Sequence, residues 1–237
     1  MPDITYPAAA GPLPGYLAVP DREGPWPGVV VAQDVLGMTA DLRRNTDRFA
    51  ASGYLALAPA LYQRGSKVRC IVNIVSTIRA GLTERGTAID DLVAARDYLI
   101  ADGRCTGKVG LAGFCMGGDF CLVLAPSGMF DATAPNYGQL PKNIGALNRS
   151  CPVVASFGAK DRMVPRGSAA KLEAVLAEGN VARDVKEYPD VGHSFMNYPG
   201  TPGVVRAIGR IAGLAYSEPE AEDAWRRILA FFSDHLT

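Results

Sequence analysis

The stretch Lys108 to Ala125, KVGLAGFCMGGDFCLVLA, decides how this chain folds. Its first seven residues, KVGLAGF (Lys108 to Phe114), form the short apolar run of a buried strand. MGGDFCLVLA (Met116 to Ala125) starts a helix, so only Cys115 separates the two elements. A chain that passes from strand to helix across one residue turns abruptly and holds the apex residue in a strained conformation. Small residues two positions to either side, Gly113 and Gly117, let strand and helix pass without clashing. The apex side chain then projects above the sheet, with a helix N-terminus behind it that favours negative charge. For a thiol this placement favours the thiolate, which is the reactive species. Buried small hydrophobe is the usual fate of a free cysteine, and Cys121, inside the helix, and Cys151, just before a strand, fit it. The strand–G-x-C-x-G-G–helix context sets Cys115 apart. A phosphate cradle would need the P-loop lysine and Ser/Thr, which this stretch lacks.

Outward from that core the chain alternates short apolar runs with helical segments. PGVVVAQ (Pro27 to Gln33), YLALAP (Tyr54 to Pro59), PVVASFG (Pro152 to Gly158) and VARDVKEYP (Val181 to Pro189) read as strands. Helices are expected over Thr39 to Ser52, with Gly53 as C-cap, over Thr87 to Ala101, over Arg166 to Glu178, and over Pro219 to His235. This order predicts the α/β class: a mostly parallel central sheet with helices on both faces, as one domain over residues 1–237. The Pro/Gly-rich opening receives no element, and Ser66 to Leu82 is a candidate lid. In such sheets chemistry collects at the carboxyl ends of the strands, so the informative residues should follow strands directly.

A thiol nucleophile needs a base, and the chain holds two histidines, His193 and His235. His235 lies near the end of the last helix and reads as a solvated helix end. His193, in PDVGHSF directly after a strand, is the candidate base. Asp161, in GAKDR just past the preceding strand, is the candidate acid that fixes the imidazole tautomer and stabilises the imidazolium; its alternative is a turn or N-cap aspartate. The order Cys115, Asp161, His193 is nucleophile, acid, histidine. QDVLG (Gln33 to Gly37), after the early strand, belongs to the same rim. An amide N–H there, that of Val35, pairs with that of Met116 as an expected oxyanion hole. Asp34 then lies close to the thiol, where it accepts the thiol proton or holds the resting cysteine neutral, unless it caps a helix.

Composition narrows the classes. Lysines plus arginines balance aspartates plus glutamates, 24 against 24. No global field exists to hold nucleic acid or an anionic membrane. Five scattered cysteines without a CxxC pair argue against a disulfide framework and a structural zinc site. No run approaches the ~18 apolar residues of a membrane span, and the first residues lack the pattern of a signal peptide. A reducing cytoplasm is the expected setting, and a monomer or homodimer the expected assembly.

Taken together, VVVAQDVLG, GYLALAPALY, GFCMGG, GAKDRMVP and GHSFMN resemble the dienelactone hydrolase (carboxymethylenebutenolidase) family of the α/β-hydrolase superfamily, essentially end to end. The resemblance implies cofactor-free hydrolysis of a cyclic enol lactone, with an acid at the position of Asp34 partnering the resting thiol. This chain departs from the family pattern in three places. Asp34 stands where those members have the longer glutamate, and Asn197 where they carry a substrate-binding arginine. Their second arginine has only the candidates Arg64, Arg69 and Arg79. Phe114, Tyr137 (in PNYG, after a further strand), Phe195, Asn197 and Arg64 are candidate pocket residues.

The thiol constrains the substrate independently. The tetrahedral intermediate expels its better leaving group, and a thiolate leaves before an ordinary alkoxide unless the alcohol is protonated. Activated esters, enol lactones and thioesters are therefore the expected small-molecule substrates. A non-catalytic or redox-sensing role for the thiol is the alternative. A serine esterase using Ser156 or Ser194 is disfavoured, because neither stands at an elbow.

Overall fold

The computed structural model describes residues 3–63, 86–198 and 215–236, so Arg64, Arg69, Arg79 and the candidate lid lie outside the described residues. The described strands are β1 (Asp3–Tyr6), β2 (Leu13–Ala18), β3 (Trp26–Ala32), β4 (Leu55–Pro59), β5 (Cys105–Phe114), β6 (Ala132–Asn136), β7 (Val153–Gly158) and β8 (Arg183–Tyr188). They form one sheet in the order β1-β2-β4-β3-β5-β6-β7-β8. From β4 to β8 all neighbours are parallel, while β1–β2 and β2–β4 are antiparallel. The helices are α1 (Ala40–Ala51), α2 (Thr87–Ala101), α3 (Met116–Leu124), α4 (Ser168–Glu178) and α5 (Glu218–His235).

A parallel sheet is covered on both faces, so its strands read as continuous apolar runs. In β3, Val29, Val30, Val31 and Ala32 are all fully buried, yet successive side chains serve different layers. Val29 and Val31 join Phe49 of α1 and Trp225 and Phe232 of α5. Val30 and Ala32 join Leu92 and Leu99 of α2 and Phe120 of α3. Phe49 holds the first layer together, with ring centroids 5.0 Å from Trp225 and 6.0 Å from Phe232. Thr39 caps α1, its side chain accepting from the Leu42 amide at 3.1 Å.

The Pro/Gly-rich opening is where expectation and structure differ. It supplies the antiparallel strands β1 and β2. Gly15 of β2 reads as a loop residue, but a side chain there would press on Leu57 and Tyr6 at 3.0 and 3.1 Å. Close strand packing, not turn formation, favours glycine at this position.

The β5–α3 junction is built on contacts only glycine permits. A Cβ on Gly113 would lie 2.0 Å from the Gly117 carbonyl oxygen, and one on Gly117 would lie 2.3 Å from that of Ala32. Both neighbours are backbone and cannot swing aside. Gly113→Ala is therefore expected to cost about 3 kcal/mol or more, read as a lowered urea midpoint; an unchanged midpoint would show that strand and helix separate easily.

Candidate active site

Parallel register lines up the residues that leave the sheet. Ala32 of β3 pairs with Gly113 of β5, and Phe114 pairs with Asn136 of β6. Two residues beyond Ala32 comes Asp34, two beyond Gly113 comes Cys115, and one beyond Asn136 comes Tyr137. These three positions therefore stand in a row along the carboxyl edge, on adjacent strands about 4.8 Å apart.

Cys115 has φ 56° and ψ −118°, a positive-φ conformation that a side chain makes costly. Its amide donates to Asn136 O at 3.1 Å, and its carbonyl accepts from Gly118 N at 2.8 Å and Asp119 N at 3.2 Å. These bonds hold the turn, and the residue stays partly exposed. Met116 opens α3, so its amide is one of the donors that have no partner within the helix.

Asp161 and His193 come together. Asp161 follows β7, its amide donating to Gly158 O at 3.1 Å. Its Oδ1 accepts from Met163 N at 2.7 Å and Val164 N at 3.1 Å, while Oδ2 lies 2.7 Å from His193 Nδ1. Both side chains are almost wholly buried, at 3% and 5% exposure. Burial works against each charge. For Asp161, the bond from His193 and the two amides outweigh burial and hold the carboxyl below its usual range. For His193, burial disfavours the imidazolium, but hydrogen bonding to Asp161 and interaction with the Cys115 thiol outweigh it, and the pKa is pushed up to about 9. Nε2, the other ring nitrogen, is buried and makes no hydrogen bond of good geometry among the described residues. His235 is half-buried against Phe231, 4.3 Å between ring centroids.

Asp34 does not cap α1. Its Oδ1 accepts from the Leu36 amide at 2.8 Å in a tight turn, and Gly37 N donates to its carbonyl at 3.3 Å. Among the described residues no internal hydrogen bond uses the Val35 amide, whose side chain is exposed. Oδ2 of Asp34 accepts from Asn197 Nδ2 at 3.2 Å. Burial raises the Asp34 carboxyl despite those two amides and the nearby His193.

The Asn197 side chain makes three hydrogen bonds among the described residues. Besides Asp34, its Nδ2 donates to Asp41 Oδ2 at 3.1 Å, and its Oδ1 accepts from the Tyr137 hydroxyl. Tyr137 is fully buried at φ 43° and packs edge-on against His193, 5.1 Å between centroids. Phe114 and Phe195 lie in the core rather than on an open wall: Phe114 packs on Tyr137 and Trp225, and Phe195 on Tyr137 and Tyr188. An open cavity of about 660 Å³ lies beside Asp161, lined by Arg162, Arg166, Asp190 and Tyr216 among others, without Cys115 or His193. Among the described residues no group of three or more His, Cys, Asp or Glu side chains is placed to hold a metal ion.

Two carboxylates escape a reading of the sequence. Asp41 looks like an ordinary first-turn helix acid. Asp119, in the first turn of α3, is 5% exposed, and its Oδ1 accepts from Gln139 N at 2.6 Å. Burial is the largest influence on it, and its pKa is pushed up to about 7. An Asp in an apolar helix was the available signal, but only the fold shows that it points inward.

A sheet with this strand order, an acute strand-to-helix turn at Cys115 and an acid–histidine pair on the two following loops define an α/β-hydrolase. Sequence comparison then narrows the class: the model of the dienelactone hydrolase family matches residues 13–236, and the chain belongs to that family. A protein of Yersinia pestis provisionally named a carboxymethylenebutenolidase is 28% identical over 249 residues, covering 98% of this chain and 88% of the relative. An Escherichia coli K12 protein with the same provisional name is 28% identical over 247 residues, covering 98% and 86%. Among solved structures, a provisionally named dienelactone hydrolase from Klebsiella pneumoniae superposes with a TM-score of 0.77 at 26% identity, covering 99% of this chain and 98% of the other. A dienelactone hydrolase-like promiscuous phosphotriesterase from metagenomic libraries gives 0.81 at 25% identity, covering 100% and 98%. The chain is thus a carboxymethylenebutenolidase-like hydrolase by family. No described helix is long and apolar enough to cross a membrane.

Asp119 generates a stability prediction. Its folded pKa is raised, so stability is fully present below the unfolded value of 3.8 and is lost as pH rises through about 7. Asp119→Asn keeps the acceptor for Gln139 and does not titrate. Its stability advantage is expected to grow between pH 4 and pH 7 and then level off at roughly 2–4 kcal/mol. Urea melts across that range check this; an advantage independent of pH would refute it.

Proposed function

We propose that this protein is a cysteine-dependent hydrolase of small activated esters or enol lactones, with Cys115 as nucleophile, His193 as proton shuttle and Asp161 as its orienting acid. The observation that carries the reading is the half-used histidine: Nδ1 is held by Asp161 at 2.7 Å, the buried Nε2 has no hydrogen-bond partner among the described residues, and the ring interacts with a strained, partly exposed cysteine.

The raised His193 pKa suits a thiol mechanism. At neutral pH the ring is an imidazolium, which sets a proton donor beside Cys115 as its sulfur attacks. The sulfur–carbon bond forms, and the carbonyl electrons move to an oxygen held by the amides of Val35 and Met116. As the intermediate collapses, the carbon–oxygen bond to the leaving group breaks and His193 gives that oxygen its proton. This proton is what keeps the better leaving group, the thiolate, from departing first. Acylation also removes the thiolate charge, one of the two supports of the imidazolium. The neutral ring then takes a proton from water, whose oxygen attacks the thioester; the carbon–sulfur bond breaks and the imidazolium–thiolate pair returns. Asp34, two residues past the neighbouring strand, tunes the resting thiol.

Three outcomes are expected. Cys115→Ala abolishes turnover of p-nitrophenyl acetate and removes the acyl-enzyme mass adduct; retained turnover would end the cysteine reading. p-Nitrophenyl acetate is cleaved much faster than ethyl acetate, and equal rates would defeat the preference for activated leaving groups. Finally, on an enol ester or lactone, whose leaving oxygen is more basic than p-nitrophenolate, kcat/KM falls as pH rises through about 9, where the imidazolium loses the proton that oxygen needs; a rate flat to pH 10.5 would remove His193 as the acid.

A further inference from the structure

Asn197 is held by four hydrogen bonds at the rim of this site among the described residues. Asp34 stands beside the end of β3 and Tyr137 beyond β6, with Cys115 between them on β5. The two flanking positions are thus two strand spacings, roughly 10 Å, apart. One amide spans them: Asn197 Oδ1 accepts from the Tyr137 hydroxyl, and Nδ2 donates to Asp34 at 3.2 Å and to Asp41 at 3.1 Å. Both hydrogens of the NH2 group are committed. Turning the amide over would set its oxygen against two carboxylates, so the network enforces one orientation. The backbone is held as well, with Asn197 N on Ser194 O at 2.9 Å and Tyr198 N on Asp41 Oδ1 at 3.3 Å.

We infer that Asn197 is a positioning residue, whose amide straps the Asp34 carboxylate to Tyr137 across the Cys115 position and so fixes where the charge beside the thiol stands. The inference rests on the hydrolase reading for its kinetic consequences. The strap joins the His193 loop to the Asp34 turn, so histidine and carboxylate keep one spacing about the sulfur. Without it, among the described residues, Asp34 keeps just the amides of its own turn, Leu36 on Oδ1 and Gly37 nearby. Among the described residues the charged neighbours of Asp34 are His193, which favours its ionisation, and Asp41, which is itself paired with Arg44. Tyr137 is buried with its pKa far above the usual phenol value, so it stays neutral and serves as a hydroxyl donor.

The test is a double-mutant cycle between Asn197→Leu and Asp34→Asn in the full-length protein. Two readouts are followed: kcat and KM on p-nitrophenyl acetate, and the pH dependence of Cys115 alkylation by iodoacetamide, followed by mass spectrometry. Asn197→Leu is expected to lower kcat about tenfold, the scale of a lost hydrogen bond to a charged group. KM should stay within about twofold, and the alkylation profile should shift along the pH axis. In the Asp34→Asn background both effects should shrink to less than about twofold, because the strap then has no charge to place. Equal penalties in both backgrounds would overturn the inference, as would a change in KM alone, which would mean that Asn197 touches substrate. If Asn197→Leu does not fold, Tyr137→Phe removes only the hydroxyl that orients the amide and enters the same cycle, with a smaller effect that must also depend on Asp34. If wild type shows no Cys115-dependent turnover, the hydrolase reading fails by itself, and the alkylation series still decides the role of Asn197.

Discussion

Backbone lies on backbone where β5 becomes α3, and the rest of the site is arranged around that approach. Gly113 meets the Gly117 carbonyl, Gly117 meets that of Ala32, and a Cβ on Gly118 would come within 2.7 Å of Asn136 O. Strand and helix can be joined by one residue only because three side chains are missing. That residue, Cys115, is left in a conformation costing on the order of 1–3 kcal/mol. The cost is sustained because α3 is buried along its whole length between β3, β5 and β6. A loop at the same place would relax and turn the sulfur away.

Around this fixed point the site holds an unusual density of buried charge. Asp161 stays ionised because two amides and His193 bond to it, and His193 stays protonated because Asp161 and the thiol outweigh its burial. Asp119 has one amide for its Oδ1 and correspondingly holds its proton near neutrality. The contrast illustrates a general point: burial penalises every charge, and the number of committed donors decides which ones persist.

The departures from the family pattern acquire a physical sense here. An amide at Asn197 donates to two carboxylates without adding charge, whereas a guanidinium there would neutralise them. Asp34, one methylene shorter than glutamate, bends back onto its own turn and is met by Asn197 from the opposite loop. A short acid and a neutral donor form a matched pair, which changes the electrostatic character of this rim while leaving the His193–Asp161 pair intact.

The sequence by itself determined the strand–helix alternation, the elbow and the order Cys115, Asp161, His193. These are local properties: apolar runs between turn formers, glycines flanking one residue, and polar residues placed just after strands. The helix over Thr87–Ala101 matches its expected range residue for residue, opening after Gly86 at positive φ and closing at Asp102, where the backbone returns to the extended region. The opening strands escaped because Gly15 and Pro14 imitate a loop, and only packing against Leu57 and Tyr6 gives that glycine its reason. Phe114 and Phe195 could not be assigned to pocket or core, since a strand-end aromatic serves either until the facing layer is known. The bond of Asp119 to Gln139 and the side-chain bonds of Asn197 to Asp34, Asp41 and Tyr137 belong to the tertiary structure: these partners are 20 to 163 residues apart in the chain, and no local pattern encodes which distant donor a carboxylate will meet.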